Sequence, residues 1–307
     1  MIKHVKRNEI DVAKWNKCIE NDKQHLPYGL VEYLDVVAAN WQALVLNDYE
    51  MVMPLPIRKK YFVNYIYRPI YAPQLGVFSQ KSIGENIESD YLQFYKSIPN
   101  SVKLIDFEVH PKMPVIEHNG HFIEKPNYIL TLDKPYEKLK ANYKNNTRRA
   151  ISKALEKGIS IQISIASHQI LQLLDNKQVN ISNQFSEQEK QITLQLINTL
   201  VKNKIGKSIG IYAENNQLQA VVFYIKYKSR IVNLLNISTQ QAKKNGWISV
   251  LIDYIINTNA NSDCFIDFEG SSIKTIARFF KSFGAENKPI YHWQWNGLPA
   301  IVKWLKA

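Results

Sequence analysis

The feature that most constrains the fold of this chain is an internal repeat. Residues 105–109 (Ile-Asp-Phe-Glu-Val) recur 161 residues later as residues 266–270 (Ile-Asp-Phe-Glu-Gly). Upstream of each copy, two apolar segments flank a turn rich in Asn or Asp, at residues 41–55 and 209–227. Such turns are typical of β-hairpins. A hairpin, helix and strand repeated at nearly constant spacing indicates a duplicated domain.

The second copy has the clearer periodicity. It predicts a helix over 186–204, strands at about 208–214, 218–227 and 230–237, a helix over 241–257, a short strand at 264–268 and a helix over 272–283. Hairpin strands followed by a strand–helix–strand unit are typical of a mixed α/β sheet.

The length of 307 residues, with 45% hydrophobic residues, allows two such domains. We expect an N-terminal domain over 1–145 and a C-terminal domain over 146–290. The tail, 291–307, contains three tryptophans that would otherwise be exposed, so we expect it to pack back toward the first domain.

The charge balance favours anionic partners. The chain has 39 Lys and Arg against 27 Asp and Glu, a formal net charge of +12. Phosphorylated small molecules, nucleic acid and an acidic membrane surface all fit this excess.

The same sequence predicts a soluble cytoplasmic protein. It has no apolar leader, no apolar stretch of about 18 residues, and only two widely separated cysteines, Cys18 and Cys264. A disulfide scaffold or a cysteine-based zinc site is therefore excluded.

Three catalytic or metal-binding patterns fail on their context. Residues 206–210 match Gly-x-Ser-x-Gly, but a helix precedes them and a strand follows, the reverse of a hydrolase elbow. The same Gly-Lys-Ser lacks the upstream glycine of a P-loop, because position 201 is Val. His110, Glu117, His118 and His121 lie in a Pro- and Gly-containing loop without zinc spacing, so we expect no metal.

Two segments are candidates for anion binding. Lys144, Arg148 and Arg149 surround the start of a helix over about 148–157, where they form either a solvated charged face or an anion site. CoA-binding transferases hold pyrophosphate on a glycine-rich loop between a strand and a helix. At that place this chain retains only Gly246, beside Lys243 and Lys244.

Two segments resemble a known family. Residues 145–154 followed by Gly158, and residues 267–271 with 276–285, are similar to the junction and closing segments of FemAB-like proteins, a family linked to methicillin resistance. The resemblance implies two tandem GNAT-like domains, in agreement with the repeat. It also implies acyl or aminoacyl transfer from an anionic activated donor, acyl-CoA or aminoacyl-tRNA, to an amine-bearing acceptor such as a peptidoglycan peptide precursor.

Acidic and basic residues near the second copy of the repeat are the candidate donor-side residues. Asp267 and Glu269 alternate, so we expect them to share one face near the end of a strand, where ligands bind. Glu269 is a candidate base or amine-orienting group, although a structural role fits equally well. Arg278 and Lys281 are either candidate partners for phosphate or carboxylate or ordinary charges on a helix surface. Lys144, Arg148 and Arg149 would line the inter-domain side.

A second candidate patch lies in the first domain. Arg68, Tyr71 and Gln74 occupy a loop stiffened by two prolines, which suits ligand recognition, although a conformational role for the prolines with incidental polar neighbours fits equally well. The family resemblance implies that the acceptor contacts the first domain, so these three are the candidate acceptor-binding residues. Two other functions fit the sequence: a basic nucleic-acid-binding protein, for example one that binds tRNA, and a duplicated scaffold that has lost activity.

Overall fold

The computed structural model describes residues 1–80, 87–109, 120–156, 158–176, 179, 185–213, 216–269 and 273–299. The chain divides into two compact units. Unit 1 comprises Met1–Lys125 and Pro289–Ala307, and unit 2 comprises Pro126–Lys288.

The helices are α1 (Val12–Asn21), α2 (Val31–Val37), α3 (Ile87–Lys96), α4 (Tyr136–Ala141), α5 (Asn145–Glu156), α6 (Ser167–Asp175), α7 (Glu187–Lys202), α8 (Gln240–Lys244), α9 (Trp247–Asn259) and α10 (Lys274–Lys281). The strands are β1 (Ile2–Lys6), β2 (Gln42–Leu46), β3 (Met51–Leu55), β4 (Ile57–Lys60), β5 (Val63–Tyr67), β6 (Gln74–Leu75), β7 (Phe78–Ser79), β8 (Val102–Val109), β9 (His121–Lys125), β10 (Tyr128–Thr131), β11 (Gln162–Ile163), β12 (Gly206–Tyr212), β13 (Leu218–Tyr227), β14 (Arg230–Ser238), β15 (Phe265–Asp267), β16 (Glu286–Asn287) and β17 (Ile290–Asn296).

Unit 2 is built on one mixed sheet in the order β11-β12-β13-β14-β15-β10-β16. Within it β14 and β15 are parallel, and the other neighbouring strands are antiparallel. The helix α9 is apolar and packs with α5 and this sheet in the main core of the unit. The α5 helix contributes Thr147, Ile151 and Ala154 at helical spacing, which leaves its basic residues on the outer face.

Unit 1 repeats this strand order in two pieces, β1-β2-β3-β7 and β4-β5-β8-β17-β9. The parallel pair is β5 with β8, the counterpart of β14 with β15. The long strand β13 pairs with both β12 and β14. In unit 1, two shorter strands take its place: β3 pairs with β2, and β4 pairs with β5. Pro56 stands at this break, between the end of β3 and the start of β4, and proline cannot donate a ladder hydrogen bond.

The two units exchange one strand each, the one that lies next to last in the sheet order. After β9, the last strand of unit 1's first segment, the chain passes Pro126 and forms β10 within the sheet of unit 2. After β16, it passes Pro289 and forms β17 between β8 and β9 of unit 1. In β17, Trp293 is buried and stacks on Phe122 at 5.7 Å. The first division point therefore lies at Lys125, before the expected residue 145, because β10, α4 and α5 pack in unit 2.

The predicted second-copy elements agree with the structure except at one point. The helix expected over 241–257 is interrupted, and α8 and α9 meet at Gly246, whose φ of +71° lies in the left-handed region. Over the described residues, no helix is long and apolar enough to cross a membrane.

Candidate functional site

The parallel strands of unit 2 separate at their carboxyl ends. β15 pairs with β14 only from Arg230 to Val232, and β14 then continues to Ser238. Along this last part of β14, no described strand pairs on the side where β15 ended. Backbone groups on that edge can therefore bond to an extended ligand.

A bulge lies in β14 near the start of this edge. Tyr224 pairs with Asn233 and Phe223 with Leu235, so Leu234 is an extra residue in β14. Bulges re-aim the side chains that follow them and are frequent beside active sites. Two residues later, the Oδ1 atom of Asn236 is buried, and no hydrogen-bond partner for it occurs among the described residues.

Asn236 lines a cavity of about 500 Å³ next to the separated strands. The wall is formed by the end of β14, by α8 and the start of α9, by α10 and by Val179. Its members are Val179, Asn236, Ser238, Gln240, Lys243, Gly246, Ile248, Ser249, Thr275, Ile276, Phe279 and Phe280. A volume of this size suits a small ligand or one arm of a larger one.

The lining of this cavity combines an apolar wall with one cation. Ile248, Ile276 and Phe279 supply apolar surface, and Lys243 is the charged residue among the described lining residues. No carboxylate belongs to that lining. The cavity therefore favours a ligand with an apolar or neutral part and an anionic end.

A second cavity of about 280 Å³ adjoins the first. The two share Ser249, Thr275 and Phe279 in their walls, and the second also includes Arg278 of α10. Together they form a groove that runs from the end of β14 toward the start of α5, with Lys243 and Arg278 as its cations.

The start of α5 is held against the end of α10 by hydrogen bonds. The Thr147 hydroxyl donates to the Ser282 Oγ atom at 2.8 Å, and the Ser282 hydroxyl donates to the Phe279 carbonyl at 2.7 Å. The backbone N–H of Lys144 donates to the Ser282 carbonyl at 2.9 Å. The two segments that carry the family resemblance thus pack together in unit 2.

The structure brings only some of the predicted basic residues to the groove. Lys243, Gly246 and Arg278 line it, whereas Lys244 is exposed and belongs to neither wall. The Lys281 Nζ atom lies 5.4 Å from the centre of the Tyr128 ring, away from both linings.

The remaining predicted cations are exposed, on α5 or on the residue just before it. Arg148 donates to the Asn145 side chain at 2.6 Å, and Arg149 and Lys144 are exposed. Their neighbours Asn146, Thr147 and Ala150 line the second cavity in their place.

We expected Asp267 and Glu269 to share one face of a strand, and the structure shows that they do not. β15 ends at Asp267, which is completely buried and forms an ion pair with buried Arg230. Glu269 follows in a turn with φ of +60°, and its N–H donates to the Asp267 Oδ1 atom at 2.8 Å. Side chains alternate between the two faces only in extended backbone, and this positive φ ends the alternation at Glu269. The hydrogen bond from Asp267 positions the backbone of Glu269, whose side chain is half-buried.

A further buried carboxylate lies on α9. Asp253 accepts hydrogen bonds from the hydroxyls of Tyr136, at 3.0 Å, and Tyr143, at 2.9 Å. Burial raises the pKa of Asp253 above its usual value, and these hydrogen bonds oppose part of the effect. This cluster joins α4, and Tyr143 just after it, to α9.

The predicted patch in unit 1 is only partly accessible. The Arg68 guanidinium is half-exposed and bonds to Glu108 at 2.9 Å. Tyr71 has a φ of +64°, and its carbonyl accepts from the Tyr33 hydroxyl at 2.6 Å. Gln74 is completely buried in β6. The patch therefore presents Arg68 and Tyr71 but not the Gln74 side chain.

Sequence reasoning did not identify Asn236, Ser249 or Thr275. The bulge that orients Asn236 has no recognisable pattern in the local sequence. The α10 residues that line the same cavity lie more than 30 positions further along the chain. In the described part of the chain, no group of three or more His, Cys, Asp or Glu could hold a metal ion. His110, Glu117 and His118 lie outside the described residues, and His121 is exposed in β9.

No protein-family model and no curated protein matches this sequence. Solved structures match in fold. A FemX structure superposes with a TM-score of 0.67 at 10% identity, over 92% of this chain and 96% of that chain. The C-terminal domain of a protein described as a lysylphosphatidylglycerol synthetase, from Agrobacterium fabrum, gives 0.62 at 9% identity, over 97% and 95%. L-PGS from Bacillus licheniformis gives 0.57 at 11% identity, over 96% and 95%.

These likenesses establish the fold. The expected mixed α/β class is confirmed, and the FemX-like fold agrees with the resemblance to FemAB-like proteins.

Proposed function

We propose that this protein transfers an acyl or aminoacyl group from an activated donor to an amine, and that the groove of unit 2 holds the donor. The observation that carries the proposal is the separation of β14 from β15 beside a cavity with an apolar wall and a cation at Lys243. The FemX-like fold agrees with this reaction class.

The reaction needs few chemical groups. The amine nitrogen attacks the donor carbonyl carbon, a C–N bond forms, and the C–S bond of a thioester or the C–O bond of an ester breaks. The amine loses a proton, and the departing thiolate or alkoxide gains one. Holding both reactants in one orientation supplies much of the rate, and hydrogen bonds to the carbonyl oxygen stabilise its developing charge.

We assign each part of the donor to a described feature. The edge of β14 bonds to the extended part, Ile276 and Phe279 cover the apolar part, and Lys243 and Arg278 neutralise anionic groups. The Asn236 Oδ1 atom can accept a hydrogen bond from the attacking amine. Glu269 is proposed as the base or amine-orienting carboxylate.

The acceptor is proposed to be an amine-bearing molecule, such as a cell-wall peptide precursor, contacted by Arg68 and Tyr71. We leave out Gln74 because its side chain is completely buried. Substitution of Arg68 by Ala should raise the KM for the acceptor and leave donor binding unchanged. Loss of donor binding in this variant would contradict its assignment to the acceptor.

Calorimetric titration tests the donor first. The protein is titrated at moderate salt with acetyl-CoA and, separately, with aminoacyl-tRNA, and amide products are then sought by mass spectrometry with amine acceptors. Ile276→Trp fills the cavity and should abolish donor binding. The control Leu155→Trp adds the same bulk at an exposed site on α5 and should bind as the wild type does.

The other outcomes identify the rival functions. Binding of uncharged and charged tRNA alike, without product and with affinity falling steeply with salt, would indicate a nucleic-acid-binding protein. Failure of both donors to bind would contradict the proposal and favour an inactive scaffold.

A further inference from the structure

The turn between β4 and β5 in unit 1 exposes two aromatic side chains. Tyr61 and Phe62 form this two-residue turn, with 83% and 84% of their surfaces exposed. They are among the most exposed large apolar residues in the described chain. Tyr61 also has a φ of +55°, which glycine or asparagine would adopt more easily. Backbone strain of this kind is typical of functional segments.

The described segments next to this turn are basic. β5 and β8 are parallel, so the start of β8 and the preceding loop lie at the same end of the sheet as this turn. Segments 57–65, 96–104 and 294–299, which form this end, contain no Asp or Glu. Their cations are all exposed and are Arg58, Lys59, Lys60, Lys96 and Lys103.

Aromatic rings beside a cluster of cations suit one kind of surface. Aromatic side chains partition into the interfacial region of a bilayer, and Lys and Arg near it are attracted to anionic headgroups. Cations on an edge strand such as β4 also discourage aggregation, but that role does not require two aromatics at the apex.

We propose that the turn Tyr61–Phe62 and its basic surroundings dock unit 1 on an anionic phospholipid surface. The two rings enter the headgroup region and the five cations contact lipid phosphates, so the attachment is reversible and peripheral. This inference does not rest on the proposed transfer reaction.

Vesicle sedimentation tests it without any turnover assay. The full chain is mixed with vesicles of phosphatidylcholine alone or of phosphatidylcholine with phosphatidylglycerol, at low and high salt. We expect binding to the anionic vesicles only, weakened by salt. Tyr61→Ser/Phe62→Ser should weaken it about tenfold or more, as should Lys59→Glu/Lys60→Glu.

Matched variants elsewhere separate this surface from general effects. Ile163→Ser/Val201→Ser removes two exposed apolar side chains of unit 2, and Lys202→Glu/Lys207→Glu makes the same charge change there. Both controls should bind vesicles within about twofold of the wild type. In addition, Phe62→Trp should be quenched by lipids brominated near the headgroup, beyond the quenching of the native tryptophans.

Three results would overturn the proposal: no binding to anionic vesicles, equal loss in the control variants, or no added quenching at position 62. If the Tyr61→Ser/Phe62→Ser variant instead loses affinity for tRNA and keeps its affinity for vesicles, the surface binds nucleic acid and the membrane assignment is wrong.

Discussion

The hydroxyl of Thr147 donates a buried hydrogen bond of 2.8 Å to the hydroxyl of Ser282, 135 residues later in the chain. This bond joins the start of α5 to the end of α10 and so closes one end of the groove in unit 2. Ser282 uses its own proton to reach the Phe279 carbonyl, and Phe279 lines both cavities. The wall of the groove therefore depends on two segments that only the fold brings together.

Replacing Thr147 by Val should destabilise unit 2 by about 1–2 kcal/mol, because the buried Ser282 oxygen loses its donor. Urea unfolding of Thr147→Val, Ser282→Ala and the double variant measures the coupling between them, which should be about 1 kcal/mol. Thr258→Val removes a hydroxyl that bonds within its own exposed helix turn, and it should be nearly neutral. Additive effects of the two single substitutions would contradict the coupling.

Gly246→Ala should destabilise the protein more than Gly158→Ala. Both glycines have φ near +70°, so alanine costs each of them about 1–2 kcal/mol of backbone strain. At Gly246 the new Cβ would also lie 3.0 Å from the Ala150 Cβ, whereas nothing lies within 4 Å at Gly158. Because both variants carry the same backbone strain, the difference between their denaturation midpoints measures the destabilisation caused by the contact with Ala150. Equal midpoints would show that α5 moves away without cost.

Asp267→Asn should be among the most destabilising substitutions in unit 2. It leaves the buried Arg230 guanidinium without a charged partner, which typically costs about 3–5 kcal/mol. The double variant Arg230→Met/Asp267→Leu removes both charges and should recover much of this loss. A double variant less stable than Asp267→Asn would argue against the unpaired charge as the cause.

Stability should fall with rising pH because of Asp253. Its folded pKa is raised above the ordinary 3.8, so the folded protein holds this proton to higher pH than the unfolded chain does. Across the window between these two pKa values, the free energy of unfolding decreases as pH rises. Urea titrations over a pH series should show this slope, and Asp253→Asn should remove its share.

Tyr136→Phe should change the pH dependence in the opposite way from Asp253→Asn, by extending the range of pH over which stability falls. It deletes one hydrogen bond to the ionised Asp253, so the folded pKa should rise further and the window should widen toward higher pH. A narrower window in this variant would contradict the assignment of the slope to Asp253.

Glu269→Gln should reduce turnover by about 10²–10⁴-fold, the usual contribution of a general base. Its backbone position is fixed by Asp267, so circular dichroism and the unfolding midpoint should stay close to those of the wild type. Glu156→Gln, at the exposed end of α5, should retain full turnover. Unchanged turnover in Glu269→Gln would remove this residue from the mechanism.

The repeated acidic segment illustrates how far sequence reasoning reached. The two copies occupy equivalent places, because each begins in the second strand of a parallel pair, β8 beside β5 and β15 beside β14. Their aspartates have different partners: Asp106 lies 3.0 Å from the His292 Nε2 atom, and Asp267 pairs with Arg230. These partners come from distant parts of the chain, so no local pattern could identify them.

The strand exchange was the largest feature that sequence reasoning missed. A signal existed, because Lys125-Pro126 and Lys288-Pro289 recur at almost the same spacing as the acidic segment. Each proline stands between a strand of one unit and a strand of the other. The two Lys-Pro sequences indicate where one strand ends and another begins, but not which sheet the next strand joins.

The sequence by itself determined the duplication, the hairpins and the helices of the second copy apart from the break at Gly246, since these follow from periodicity and turn residues within short windows. Only the tertiary structure decided the exchange of β10 and β17, the separation of β14 from β15 and the groove between α9 and α10. The physical reason is that strand pairing and cavity walls depend on which edges and side chains meet across long stretches of chain. Packing of the whole unit selects those partners, and the local sequence does not record them.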